Sequence, residues 1–217
     1  PTFSPDGGTV VFERGTGGYL LAPEWSDAPG IYRVPAKGGT MSQVVANGRL
    51  PHFGARADRV YFNRANPGRG NGTTLMSVSL GGHDERSHLR GGLVTAYRVS
   101  PDEAHVAFTE NYQVFLAVLP PGATEATLDR GADSVRVARA SGDGAHWPHW
   151  SADGRRLRWS LGPDLFRAAA EDIFLQEYSP PTPVASLART VPADRPAGTI
   201  ALTGARVVTM TAPDGGV

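Results

Sequence analysis

The chain has 217 residues, 40% of them hydrophobic, which is enough to bury the core of one large domain or two small ones. Its 21 basic and 21 acidic side chains give a net charge of zero, without the basic excess typical of nucleic-acid-binding domains. The absence of cysteine excludes disulfides, thiolate metal sites and cysteine nucleophiles, and no apolar stretch approaches the roughly 20 residues of a membrane-spanning helix.

Glycine and proline are frequent in this chain, with 27 and 18 copies respectively. That composition disfavours long helices and favours many short strands joined by turns. Disorder is the competing interpretation, but the apolar residues recur in regular alternating clusters, which disordered chains lack.

One sequence pattern occurs four times, starting at Pro1, Pro51, Tyr97 and Pro148, so that the copies lie about 50 residues apart. Each copy has a large apolar residue before a turn, an apolar residue seven positions later and an aromatic residue two positions further on. We name these the three anchor positions: Phe3, Val10 and Phe12; Phe53, Val60 and Phe62; Val99, Val106 and Phe108; Trp150, Leu157 and Trp159.

The residues between the first two anchors predict a tight turn. Asp6, Asp102 and Asp153 can accept a hydrogen bond from the backbone two residues on, and Gly7 and Gly154 supply the positive φ that closes such a turn. The second copy has Gly-Ala-Arg-Ala here and keeps only the spacing. The spacing of two between the later anchors places both on one face of a strand. Each copy therefore predicts a β-hairpin.

Further strands are predicted in each copy. Third strands are predicted at 30–35, 74–79, 112–118 and 163–166, and fourth strands near 42–46, 85–89, 134–138 and 172–178. Four strands in about 48 residues match one blade of a β-propeller. We therefore predict an all-β propeller of four-stranded antiparallel blades. About four blades are present, and the propeller is expected to be incomplete.

The Ser-Pro-Asp-Gly turn followed by Val-Val-Phe resembles the TolB-type, WD-repeat-like propeller over residues 1–178. The sialidase Asp-box is a poorer match, because it has a residue between its Asp and Gly, which are adjacent here. A Pro-rich linker is predicted at 179–197. Residues 198–217 then resemble the opening strands of the β-sandwich of metal-dependent amidohydrolases, and large bacterial amidohydrolases with an N-terminal propeller have this order of domains.

This resemblance implies a propeller fragment of a bacterial hydrolase that cleaves C–N bonds, acting as scaffold or substrate gate. The family's metal ligands match no position of this sequence, so we expect no catalytic residue, metal ligand or cofactor here, with the divalent metal in a separate barrel domain. The alternative is a non-catalytic, TolB-like protein-binding propeller. The compartment stays open between the periplasm or secretion and the cytoplasm.

The histidines and one long loop are the remaining candidate site residues of this sequence. His146 and His149 bracket Trp147-Pro148, but residues three apart on a strand point to opposite faces, so we predict structural or surface roles. The other histidines have no ligand spacing and are expected to be solvated: His52, His83, His88 and His105. The long loop 15–29 is a candidate partner- or substrate-facing segment, unless Trp25 packs back on its blade; it carries Tyr19, Glu24, Trp25 and Asp27.

An open stack of blades leaves two uncovered blade faces and unpaired strand edges. We therefore expect the remaining part of the same protein, or a second copy of the chain, to cover them. No nucleic-acid partner and no membrane span are predicted. Because the chain starts at Pro1 and shows no signal peptide, we expect it to be processed, trimmed or part of a longer protein.

Overall fold

The computed structural model describes residues 1–15, 28–67, 72–119, 122, 125–195, 197–199, 201 and 203–204. Contacts divide the chain into a larger unit, Pro1–Leu187, and a smaller one, Ala188–Val217. The larger unit consists of four antiparallel sheets arranged as the four blades of a propeller, which confirms the predicted fold class. Among the described residues, no helix has the length and hydrophobicity needed to cross a lipid bilayer.

The strands follow one another blade by blade. The first blade contains β1 (Thr2–Phe3), β2 (Thr9–Arg14), β3 (Gly30–Pro35) and β4 (Ser42–Val45). The second contains β5 (Arg49–Phe53), β6 (Arg59–Ala65), β7 (Thr73–Ser79) and β8 (Arg86–Gly91). The third contains β9 (Val94–Val99), β10 (His105–Glu110), β11 (Gln113–Val118) and β13 (Val137–Arg139). Between β11 and β13 the chain forms β12 (Ala126–Thr127), which joins the sheet of the second blade. The fourth contains β14 (His146–Trp150), β15 (Arg156–Leu161), β16 (Asp164–Ala169), helix α1 (Ala170–Ile173) and β17 (Ala185–Ser186).

The outer edge of the fourth blade differs from the prediction. The fourth strand expected near 172–178 is wrong, because the chain turns there into α1, which buries Ala170 and Ile173 against the fourth blade's core. An alanine run followed by Glu171 and Asp172 in the first turn favours a helix. The edge strand is β17, whose Ala185 pairs with Leu165 of β16.

The anchor positions form the interfaces between blades. At each interface they pack against aliphatic or aromatic residues of the preceding blade, and all of these side chains are buried. The three sets are Phe53, Val60 and Phe62 on Val11, Ile31 and Val44; Val99, Val106 and Phe108 on Tyr61, Leu75 and Leu89; and Trp150, Leu157 and Trp159 on Ala107, Val114 and Leu116. The anchor side chains are therefore buried by the radial stacking of one blade on the next.

The first blade breaks this rule. Its anchor Phe3 is 64% exposed, whereas the matching Phe53 of the second blade is 8% exposed. Val10 and Phe12 are likewise only partly buried. The described residues place no blade in front of the first one, so its anchor face is open.

The free face of the fourth blade has a different character. Arg158 of β15 lies directly opposite Arg167 of β16 and pairs with His149 of β14 on its other side. All three side chains are exposed. Like charges placed opposite each other in a sheet destabilise it unless water or an anionic surface screens them. The stack therefore begins with an apolar face and ends with a cationic one.

The smaller unit has neither helix nor strand among its described residues, which are 188–195, 197–199, 201 and 203–204. Most of the strands predicted for 198–217 fall outside the described part of the chain. The linker predicted at 179–197 contributes β17 to the fourth blade, and the domain assignment of both segments stays a prediction.

Candidate functional site

Three of the four repeat turns share one hydrogen-bond network. The aspartate oxygens of Asp6, Asp102 and Asp153 accept the backbone N–H two residues on, at 3.0, 3.1 and 3.1 Å. In each turn a serine hydroxyl donates to the aspartate: these are Ser4, Ser100 and Ser151. The serine hydroxyls from Ser4 and Ser151 hold the pKa of Asp6 and Asp153 below the usual value. Gly7 and Gly154 both have φ of 70°. These polar groups are thus occupied by the hairpins.

A cavity of about 550 Å³ lies between the turns of the third and fourth blades. Two of its acidic lining residues, Asp102 and Asp153, already accept the hydrogen bonds of their own turns, and the third, Glu171, is exposed on α1. The His105 ring at its edge stacks with Trp150 and Phe174, with centroids 6.2 and 5.9 Å away. We read this cavity as a groove between structural turns.

A second polar cluster lies where the inner strands meet, and we call it the axial cluster: Glu13, Leu50, His52, Arg98 and His149. His52, Arg98 and His149 occupy the same position of the repeat, on β5, β9 and β14. The Leu50 carbonyl accepts hydrogen bonds from His52 Nδ1 at 3.0 Å and Arg98 Nη1 at 3.2 Å. The Leu50 N–H donates to Glu13 Oε2 at 2.9 Å. One backbone residue therefore connects three blades.

His52 is the structural member of this cluster. Its Nδ1–H donates to Leu50, and its Nε2 accepts the N–H of Val99 in the next blade at 3.0 Å. Burial, followed by the positive charge of Arg98, lowers the pKa of His52 to about 3. The expectation that His52 is solvated is therefore wrong, because the partner that buries it lies 47 residues away in the sequence. With both nitrogens engaged, it has no lone pair for a metal.

The depressed pKa of His52 predicts acid-labile stability. Between its unfolded value of 6.5 and about 3, the unfolded chain binds a proton that the folded chain excludes. The contribution of neutral His52 is therefore complete above pH 6.5 and is lost as the pH falls, by up to about 1.4 kcal/mol per pH unit. Urea denaturation at pH 7 and at pH 5 should show a smaller difference for His52→Gln than for the unmodified chain. His83→Gln, which changes an exposed histidine, is the control, and equal differences in all three proteins would contradict the assignment.

Two cavities open beside Arg98. One of about 400 Å³ is bordered by Glu13, Leu50, Arg98 and His149. The other, of about 330 Å³, shares Glu13, Leu50 and Arg98 and extends to Trp147. Together they form what we call the axial cleft, with the Arg98 side chain bordering both parts.

Trp147 has an unusual backbone at the edge of the axial cleft. Its φ is +57°, and Leu50, at the same position of the second blade, has +54°. In both β5 and β14 the strand register shifts at this point. A bulky residue at positive φ is rare and strained, and such positions cluster at binding sites. The Trp147 side chain is nevertheless 77% exposed, so burial of the side chain does not offset the backbone strain.

The histidine pair His146 and His149 does not form a metal centre in the described structure. His146 contacts Tyr112 edge-on, with centroids 6.3 Å apart, and borders the part of the axial cleft beside Trp147, whereas His149 borders the other part. Within the described ranges, no three His, Cys, Asp or Glu side chains come together in a way that could hold a metal ion.

The site residues predicted from the sequence differ from those of the axial cluster. The predicted loop residues Tyr19, Glu24, Trp25 and Asp27 lie outside the described residues, so their role stays a prediction. The axial cluster was missed, although the repeat alignment shows a basic residue at one position in three successive copies.

No protein-family model matches this sequence, and no curated protein is significantly similar to it. Among solved structures, TolB from Acinetobacter baumannii is 15% identical, with a TM-score of 0.52 over 78% of this chain and 40% of that one. A structure from Agrobacterium tumefaciens that also carries the TolB name is 16% identical, with a TM-score of 0.49 over 78% of this chain and 53% of that one. This chain thus spans about half or less of each structure. At such identities the similarity shows the fold alone, and TolB-like β-propellers are fold neighbours of this chain.

Proposed function

We propose that this chain is the propeller part of a metal-dependent amidohydrolase-type hydrolase, for which it acts as scaffold or substrate gate. The observation that carries the proposal is the order of segments: a repeat-built propeller followed by residues 198–210, which resemble the opening of an amidohydrolase β-sandwich. The metal and the reacting groups would belong to a barrel domain outside these 217 residues.

The described side chains support a scaffold role. Serine hydroxyls that could suggest a nucleophile are held in turns, as Ser100 is by Asp102 and by the N–H of His105 at 2.9 Å. The open anchor face at Phe3 supports a larger assembly, because the same positions are buried in every later blade. The axial cleft supports a gating role, because it opens beside the inner strands of the blades.

The test is to express the longer open reading frame and to assay metal-dependent hydrolysis of C–N bonds in N-acyl amino acids, dipeptides and cyclic amides. We expect turnover that a chelator abolishes and that added divalent metal restores. The isolated 217-residue chain should show no hydrolysis under the same conditions. Turnover by the isolated chain, or an intact longer protein that carries the ligand residues yet binds no metal, would contradict the proposal.

A second candidate is a protein-binding propeller without catalysis. The observation that favours it is a pair of exposed aromatic residues, Tyr112 at 75% and Trp147 at 77%. Tyr112 contacts the ring of His146, and Trp147 follows His146 in β14. Exposed aromatic side chains are enriched at protein interfaces. The sequence following Val217 discriminates between the two candidates: strands leading to a His-x-His favour the enzyme, and a stop codon favours the binding propeller.

A further inference from the structure

Arg98 has an incomplete set of partners. Its side chain makes one hydrogen bond to the described residues, from Nη1 to the Leu50 carbonyl at 3.2 Å, although a guanidinium has five N–H donors. It also belongs to none of the ion pairs formed within the described ranges. Among the described residues, the guanidinium therefore leaves several donors without a protein partner beside a cleft.

Partial burial makes an unpaired charge on Arg98 energetically unfavourable. Burial lowers the pKa of Arg98, and the negative charge of Glu13 only partly opposes the effect. A cation removed from water is stabilised chiefly by an anion that bonds to it directly. An anion in the axial cleft would meet that need, and a carboxylate matches the planar guanidinium in a bidentate arrangement.

Glu13 does not fill this role. Its carboxylate accepts the Leu50 N–H at 2.9 Å and forms no ion pair with Arg98. It does border both parts of the axial cleft, so it would repel a second carboxylate to some degree. Removing the charge of Glu13 should therefore strengthen the binding of a carboxylate, whereas removing the charge of Arg98 should weaken it.

The second part of the cleft is suited to an apolar group. It is bordered by the exposed ring of Trp147 together with Ala96, Ala145 and Pro148. At about 330 Å³ it has the size of a small-molecule site. Because Trp147 is held at positive φ without being buried, a ligand contact supplies a reason for its position.

We propose that the axial cleft binds a small carboxylate ligand, with the carboxylate on Arg98 and an apolar or aromatic group against Trp147 and Pro148. The exposed ring of His149 borders the part of the cleft beside Arg98 and offers a further hydrogen bond to the carboxylate. This site does not depend on the hydrolase proposal, because all of its residues lie within the described chain.

The test uses the 217-residue chain with N-acetyl-L-phenylalanine in isothermal titration calorimetry. We expect saturable binding with a dissociation constant of about 1 mM or lower. The uncharged N-acetyl-L-phenylalaninamide keeps the ring and loses the carboxylate, so it should bind at least roughly tenfold more weakly. No saturation by the acid up to about 10 mM, or equal binding of acid and amide, would overturn the proposal.

Substitutions locate the site. Arg98→Gln should weaken binding of the acid by roughly tenfold or more, whereas Arg90→Gln, the same change at an exposed arginine of β8, should leave it unchanged. Trp147→Gly should weaken binding by roughly threefold or more without loss of thermal stability, because glycine accepts positive φ. Unchanged affinity in Arg98→Gln would overturn the assignment.

The Glu13→Gln variant keeps the test decisive if Arg98→Gln fails to fold. Glutamine can still accept the Leu50 N–H but no longer repels the ligand. We expect the acid to bind roughly threefold more tightly and the amide to be unaffected. Equal or weaker binding of the acid by Glu13→Gln would contradict the placement of the carboxylate beside Arg98.

Discussion

The substitution Phe53→Ala should lower the free energy of unfolding by about 3–5 kcal/mol, and Phe3→Ala by less than about 1 kcal/mol. The two phenylalanines occupy the same repeat position, but Phe53 is 8% exposed and packs on the first blade, whereas Phe3 is 64% exposed. Removing a buried ring leaves a cavity as well as losing transfer free energy, whereas removing a mostly exposed ring leaves no cavity and loses little transfer free energy.

Urea denaturation of both variants, with the m-value monitored, measures this difference. A second matched pair repeats the comparison at the aromatic anchor position, where Phe62 is fully buried and Phe12 is partly exposed. Phe62→Ala should again cost several times more than Phe12→Ala. Equal costs within either pair would show that the first blade is covered in solution or that the anchors do not form the interfaces.

Loss of the Asn63 side chain should cost about 2–4 kcal/mol. Asn63 is buried between the second and third blades, where its Oδ1 accepts the N–H of Tyr97 at 2.7 Å and its Nδ2 donates to the Tyr97 carbonyl at 3.0 Å. The amide thus pairs with the free backbone edge of β9 as another strand would. Asn63→Ala leaves both groups of Tyr97 buried without a partner, which costs about 1–3 kcal/mol for each.

Chemical denaturation of Asn63→Ala checks this value, and Asn47→Ala, which changes an exposed asparagine, should be nearly neutral. Asn63→Asp keeps the acceptor for the Tyr97 N–H but opposes a carboxylate to the Tyr97 carbonyl, so it should also destabilise the fold near neutral pH. A cost below about 1 kcal/mol for Asn63→Ala would mean that water replaces the amide.

Much of the fold follows from the repeat. The anchor spacing depends only on the period of a strand, so each predicted hairpin appears as a pair of inner strands, such as β9 and β10. The predicted third strand at 30–35 has the observed bounds of β3. Local patterns suffice where apolar residues alternate and glycine marks the turn.

Other parts of the fold depend on distant contacts. The edge strands β12 and β17 are two residues long, too short to show any period. β12 also pairs with β8 in parallel, across an intervening blade in the sequence. His52 is buried through Val99 of another blade, which no local pattern shows. These features require the assembled propeller.

The candidate site likewise has one part that the repeat predicts and another that depends on distant contacts. The repeat alignment alone shows that His52, Arg98 and His149 share a position, so their common location near the axis could have been predicted. The cleft beside Arg98 could not, because it depends on the register shifts that place Leu50 and Trp147 at positive φ. The role of the loop at 15–29 stays a prediction.

The open faces of the first and fourth blades are suited to different partners. That another part of the protein or a second copy covers these faces remains a proposal. The apolar anchor face of the first blade is suited to the aliphatic face of another blade of the same repeat. The row of His149, Arg158 and Arg167 on the fourth blade is suited to an acidic surface instead. A second copy of this chain packed head to tail would bring the cationic face onto the apolar one, which is a poor match.

Hydroxyl-radical footprinting of the folded chain tests most directly whether each blade's anchors are buried by the preceding blade. The oxidation rate of each side chain reports its exposure to solvent. The account predicts that Phe3 is oxidised several times faster than Phe53, with Phe108 protected like Phe53. Equal protection of Phe3 and Phe53 would contradict an open first blade, and rapid oxidation of Phe108 would contradict the radial stacking itself.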